Sequence, residues 1–139
     1  IGSETAGMVR NVYATDVTME APKFPIYIKT RRPRGGGCDN IWLEKLHIKS
    51  CSGTAINFDM LGSRRWVGNL ADRLPARPIG KLTPKFANLT FKDVTIDECK
   101  TLINAKGLPE QPIENLTLDN VKAPTMRMTL QDVGKITIK

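Results

Sequence analysis

Apolar and polar residues alternate along this chain in a pattern that occurs four times. Each copy starts at an asparagine: Asn11, Asn40, Asn88 and Asn115. The residues one and three places later are apolar, and so are those six and eight places later, as in Leu89, Phe91, Val94 and Ile96. Alternation with period two marks a half-buried strand. The change of parity in the middle predicts two short strands joined by a bend, which falls at Asp16, Lys45, Asp93 or Asn120. A third strand follows in each copy, over Ile26–Lys29, Ile56–Asp59, Ile103–Lys106 and Met126–Thr129. The tail Gly134–Ile138 reads as the first strand of a further copy.

The asparagines are spaced by 29, 48 and 27 residues, a quasi-period of the solenoid kind. Three short strands per unit and no amphipathic helix predict an all-β fold, a parallel β-helix of about four to five rungs, over residues 1–139. Stacking places equivalent residues about 4.8 Å apart, so the asparagines should form a ladder of side-chain hydrogen bonds and need no ligand to explain them. Cys51 and Cys99, each eleven residues after its asparagine, should also stack. We read them as paired thiols in the core before a disulfide, with Cys38 left over. The long spacing marks an insertion over residues 61–84 that carries Arg64, Arg65 and Trp66. Either these residues touch a ligand, with Trp66 stacking on a sugar face, or the loop only covers the side of the helix. An N-terminal rung with nothing stacked on it leaves an open core end and a bare sheet edge. The polar stretch Ser3–Gly7 is too short to cap them, so the chain is expected to self-associate there.

Charge changes this picture at one place. The chain has 21 basic and 14 acidic residues, and the densest cationic stretch, Ile26 to Gly37, combines Lys29, Arg31, Arg32 and Arg34 with three glycines. An anionic partner suits it. The +7 balance alone would also suit nucleic acid or an anionic membrane, but exposed aromatics are few and no nucleic-acid module is present. No apolar run nears the roughly 20 residues that span a bilayer. The repeat register sets Lys29 beside Asp59, either as a pair that holds Lys29 for an anion or as an exposed ion pair of little energetic worth. His47 falls at an outward position, and three cysteines with one histidine do not make a zinc site. The sequons at Asn88 and Asn115 arise from the repeat itself. The first residue is Ile1 and not Met, as expected of a processed chain or one cut from a longer protein.

Four segments together resemble the C-terminal half of glycoside hydrolase family 28, the polygalacturonases and related pectin-degrading enzymes. They are Ile1–Glu4, Gly7–Val12, Tyr27–Thr30 with Arg32 and Gly35–Gly36, and Gly107–Leu118. The resemblance implies a right-handed β-helix truncated at its N-terminal end. It also implies a secreted or periplasmic setting and inverting hydrolysis of galacturonan, in which one carboxylic acid protonates the leaving oxygen and a carboxylate activates water. The family's Asn-Thr-Asp, Asp-Asp and Gly-His-Gly motifs are absent, so no catalytic residue is expected in this chain, and no cofactor or metal. The family's carboxylate-binding Arg-Ile-Lys aligns with Tyr27-Ile28-Lys29. Lys29 matches, whereas Tyr27 cannot form the bidentate pair that arginine makes with a carboxylate. Either Arg31, Arg32 and Arg34 fill that role or the substrate is not a plain galacturonate there. Glu4 either reaches toward the cleft or makes a structural hydrogen bond.

Substrate-binding residues are thus expected at Lys29, Tyr27, Arg31, Arg32, Asp59 and Glu4, with an acidic polysaccharide as the partner and no nucleic acid or membrane. The competing reading is a noncatalytic carbohydrate-binding or adhesive β-helix. A pectate-lyase reading would need an acidic calcium site, which no Asp cluster provides.

Overall fold

A computed structural model describes residues 1–139. Nine strands form two parallel sheets that the chain visits alternately. The long strands β1 (Met8–Met19), β3 (Gly37–Ile48), β5 (Lys85–Ile96), β7 (Glu114–Lys122) and the short β9 (Ile136–Ile138) lie side by side in that order. The shorter strands β2 (Ile26–Lys29), β4 (Thr54–Asp59), β6 (Thr101–Lys106) and β8 (Met128–Gln131) make the second sheet.

The long strands bend where the parity changes. Asp16, Lys45, Asp93 and Asn120 have φ between 52° and 58°, and so do the anchors Asn11, Asn40, Asn88 and Asn115, with φ between 54° and 57°. Asn and Asp tolerate this left-handed conformation better than other side-chain-bearing residues, which explains why seven of these eight positions, all but Lys45, are Asn or Asp. The side-chain ladder forms with one change. Asn40 donates to Asn11 at 2.8 Å and Asn115 to Asn88 at 2.9 Å, but Asn88 turns to the Asp39 carboxylate at 2.8 Å. A carboxylate one residue away is the stronger acceptor. A second, unforeseen link joins Asn120 to Asp93.

Register follows the apolar alternation. Ile56 lies between Ile26 and Ile103, Asp59 between Lys29 and Lys106, and His47 between Thr18 and Thr95. The last short strand is a correction. Met128, not Met126, pairs with Ile103, and Met126 is exposed. The other copies spend six or seven residues between the last inward residue of the long strand and the first of the short one. Starting at Met126 would leave only two after Ala123, too few to round the corner, whereas starting at Met128 leaves four.

Both sheets contribute to one core of 24 buried residues, with Phe58 at its centre, 6.1 Å from Phe91 and 6.5 Å from Phe86 between ring centroids. All three cysteines are free thiols. Burial pushes the Cys38 thiol up to about 12, and burial followed by the nearby Cys51 raises Cys99. At the N-terminal end the core is open. Val12, Val17 and Met19 of β1 are only half-buried, whereas their partners Ile41, Leu46 and Ile48 are fully covered. Ser3–Gly7 does not cover this end. Ile1 instead pairs along β2, its amine donating to the Tyr27 carbonyl and its carbonyl accepting from the Lys29 amide, both at 3.0 Å. No helix is long and apolar enough to cross a membrane.

Candidate functional site

β2 ends with two outward side chains, Tyr27 and Lys29, and the insertion folds back beside them. Asp59, at the end of β4, accepts the amides of Leu61 and Gly62 at 2.9 Å each and so fixes the departure of the insertion. One turn of helix follows, α1 (Arg64–Val67), and the Arg64–Asp72 ion pair ties it to the segment beyond. This brings Trp66, 70% exposed, to the mouth of a cavity of about 140 Å³ lined by Tyr27, Lys29, Arg31, Asp59, Ser63 and Ser3. Ser3, Arg31 and Trp66 also line an adjoining hollow with Glu4, while Tyr27 and Asp59 line a smaller one with Asn57, Asn104 and Lys106. The three together make one cleft along the outer side of the second sheet.

Within the cleft, Lys29 extends its ammonium over the Tyr27 ring, 4.9 Å from the centroid. Cation–π contact of this kind holds a lysine without neutralising it. Lys29 and Asp59 are register partners, but the ion pair between them does not form, because Asp59 is committed to the two loop amides. Burial, and then the negative charge of Asp59, raises the Tyr27 phenol above its ordinary value, so it stays a neutral hydrogen-bond donor. Arg65 lies 5.0 Å from the Trp66 ring and braces it. Glu4 is 72% exposed and bridges Arg34 at 2.6 Å and Arg31 at 3.9 Å.

Five of the six residues expected at a binding site, namely Lys29, Tyr27, Arg31, Asp59 and Glu4, are thus brought together. Arg32 departs from the expectation. Its guanidinium is 3% exposed and grips Glu110 in two parallel bonds, Nε to Oε1 at 2.7 Å and Nη2 to Oε2 at 2.5 Å. It holds the turn after β2 against the segment that follows β6, and it does not line this cleft. The glycine run turns the chain and packs against the protein itself, with Gly36 and Gly37 approaching the backbone of residues 5–7 and of Lys85.

His47 is half-exposed on the other sheet, pairs with Asp97 at 2.8 Å and does not line the cleft. Ser3 entered only as part of the resembling segment Ile1–Glu4, and Ser63 gave no signal in the sequence. Asp59 did: an aspartate followed closely by Leu61-Gly62 is a local side-chain-to-backbone turn pattern. Compared with protein-family models, with curated proteins and with solved structures, the chain has no match in any of the three.

Proposed function

We propose that this chain is the C-terminal portion of a right-handed parallel β-helix of the polygalacturonase type, secreted or periplasmic, and that its cleft binds the acidic sugars of galacturonan. The single observation carrying this reading is the grouping of Lys29, Tyr27 and Trp66 in one cleft: an unpaired cation for a sugar carboxylate, a phenol to donate a hydrogen bond, and an exposed indole for a pyranose face. The two carboxylates of the cleft have other work, Asp59 on the loop amides and Glu4 on Arg34. Inverting hydrolysis needs a free acid and a free base on opposite sides of the bond. In this reading the chain binds and positions, and the acid and base come from elsewhere in the enzyme.

Binding of oligogalacturonate followed by calorimetry, with the uncharged galactose oligomer as control, tests it. Lys29→Ala should weaken binding about 10–100-fold, the equivalent of one charge-assisted hydrogen bond of roughly 1.5–3 kcal/mol. Trp66→Ala should weaken it while leaving the salt dependence unchanged. Equal affinity for the uncharged oligomer would sink the reading.

The same reading assigns the bare N-terminal end to a neighbouring rung. The outer edge of β1 is unpaired, and a hollow of about 200 Å³ lined almost wholly by apolar side chains, among them Ile1, Met19 and Leu43, opens there. The isolated chain should therefore self-associate. A monomer by light scattering at high concentration would count against this.

A further inference from the structure

The turn after β2 sends two neighbouring arginines to different cavities: Arg31 to the cleft above, Arg32 to a second one formed by the far part of the insertion. This second cavity has a volume of about 320 Å³ and shares no residue with the cleft. Pro33, Pro78 and Leu82 supply apolar walls, the exposed Arg77 and Lys81 supply charge, and the buried Arg32–Glu110 pair completes the lining. Neither Arg77 nor Lys81 has an acidic partner within 4 Å. Three cations thus surround one carboxylate. One nitrogen of Arg32, Nη1, is buried without any hydrogen-bond partner. A buried guanidinium N–H lacking an acceptor is costly, so this end of the cavity holds uncompensated positive charge.

We propose that this cavity binds the carboxylate of a uronic acid unit, as a subsite separate from the Lys29–Trp66 cleft. The excess positive charge requires an anion. The choice of a carboxylate over a phosphate follows from the acidic-sugar reading above, and the phosphate arm of the experiment below separates the two. Two prolines and a leucine offer apolar surface to the C–H face of a pyranose, and the volume matches the lower end of small-molecule sites. The choice of a uronate among carboxylates rests on the acidic-sugar reading above; the cavity and its charge do not.

Residue-resolved NMR of the full 139-residue chain tests the proposal. Sodium galacturonate should move the amide signals of Gly80, Lys81 and Thr83 in a saturable way, while galactose, and sodium chloride at matched ionic strength, should not. The double variant Arg77→Ala with Lys81→Ala changes only exposed side chains, and it should raise the dissociation constant at these signals tenfold or more. Equal shifts with galactose or sodium chloride, or unchanged binding by the double variant, would overturn the proposal, as would saturation by sodium phosphate in preference to galacturonate. Lys29→Ala should leave these shifts intact. Movement here with none at Gly62 or the Trp66 indole would refute the cleft reading and support the second cavity; the converse would refute the second cavity alone.

Discussion

Arg32→Ala is expected to unfold at a much lower urea concentration than the parent chain, with a loss of about 3–5 kcal/mol. The reason is the state in which it leaves Glu110. The two side chains are 3% and 4% exposed, and the two short parallel bonds between them join positions 78 residues apart. Removing the guanidinium strands a carboxylate away from water without its charge partner and without the two hydrogen bonds Arg32 gave it. Replacing both partners, as in Arg32→Met with Glu110→Leu, should recover most of the loss, because a buried pair adds little net stability over apolar residues of similar size.

The pair also sets a pH dependence. Burial works to raise the Glu110 carboxyl, but the hydrogen bonds and charge of Arg32, with the amides of Glu110 and Arg77, outweigh it and hold the group below the ordinary carboxylate range. In the unfolded chain Glu110 titrates near its usual pKa of about 4.3. Between that value and the lower folded one, the unfolded chain binds a proton that the folded chain does not. The contribution of Glu110 is therefore complete above the unfolded pKa and is lost as pH falls through the folded one. Urea midpoints from pH 7 to pH 3 should fall less steeply for Glu110→Gln than for the parent, from a lower starting point. Parallel curves would show that Glu110 is not held down.

How much of this was legible in the sequence depended on whether a backbone or a side chain decided it. A one-residue slip between strands would turn every inward residue outward, so alternation alone carries the register of Ile26, Ile56 and Ile103 and the outward place of His47. Met126 and Met128 have the same parity, so alternation cannot choose between them, and the length of the turn after Ala123 does. Register also places Lys29 beside Asp59 but does not say which partner a carboxylate takes. Asp59 prefers two amides within three residues over an ammonium on the next strand. The burial of Arg32 was out of reach for a related reason: its partner is distant in sequence, and a cationic run looks the same whether its arginines face solvent or Glu110. Trp66 stood between these cases. The insertion marked it, while its exposure beside Lys29 follows from how Asp59 and the Arg64–Asp72 pair direct the loop.

The run Gly35-Gly36-Gly37 shows the same limit and leads to the second large effect. Three glycines after a cationic strand suggest backbone that turns sharply or approaches a ligand. The close approach is real, but the neighbour is the protein itself. Gly37, the first residue of β3, has φ +117°, and a Cβ there would lie 1.9 Å from the carbonyl oxygen of Lys85 on β5. Side-chain-bearing residues reach that φ at a cost of about 1–3 kcal/mol. The contact adds to it, since relief would require moving one backbone against another where Gly37 and Lys85 are paired. Gly37→Ala should therefore lose on the order of 3 kcal/mol or more, read as a lower urea midpoint with an unchanged slope. Gly53→Ala is the matched control. No atom lies within 4 Å of its Cβ position and its φ is not in the left-handed region, so the substitution should be neutral or stabilise by up to about 1 kcal/mol. If both variants unfold with the parent, the contact between Gly37 and Lys85 is not as close as described; if both are equally destabilised, the loss comes from alanine at either turn and not from this approach.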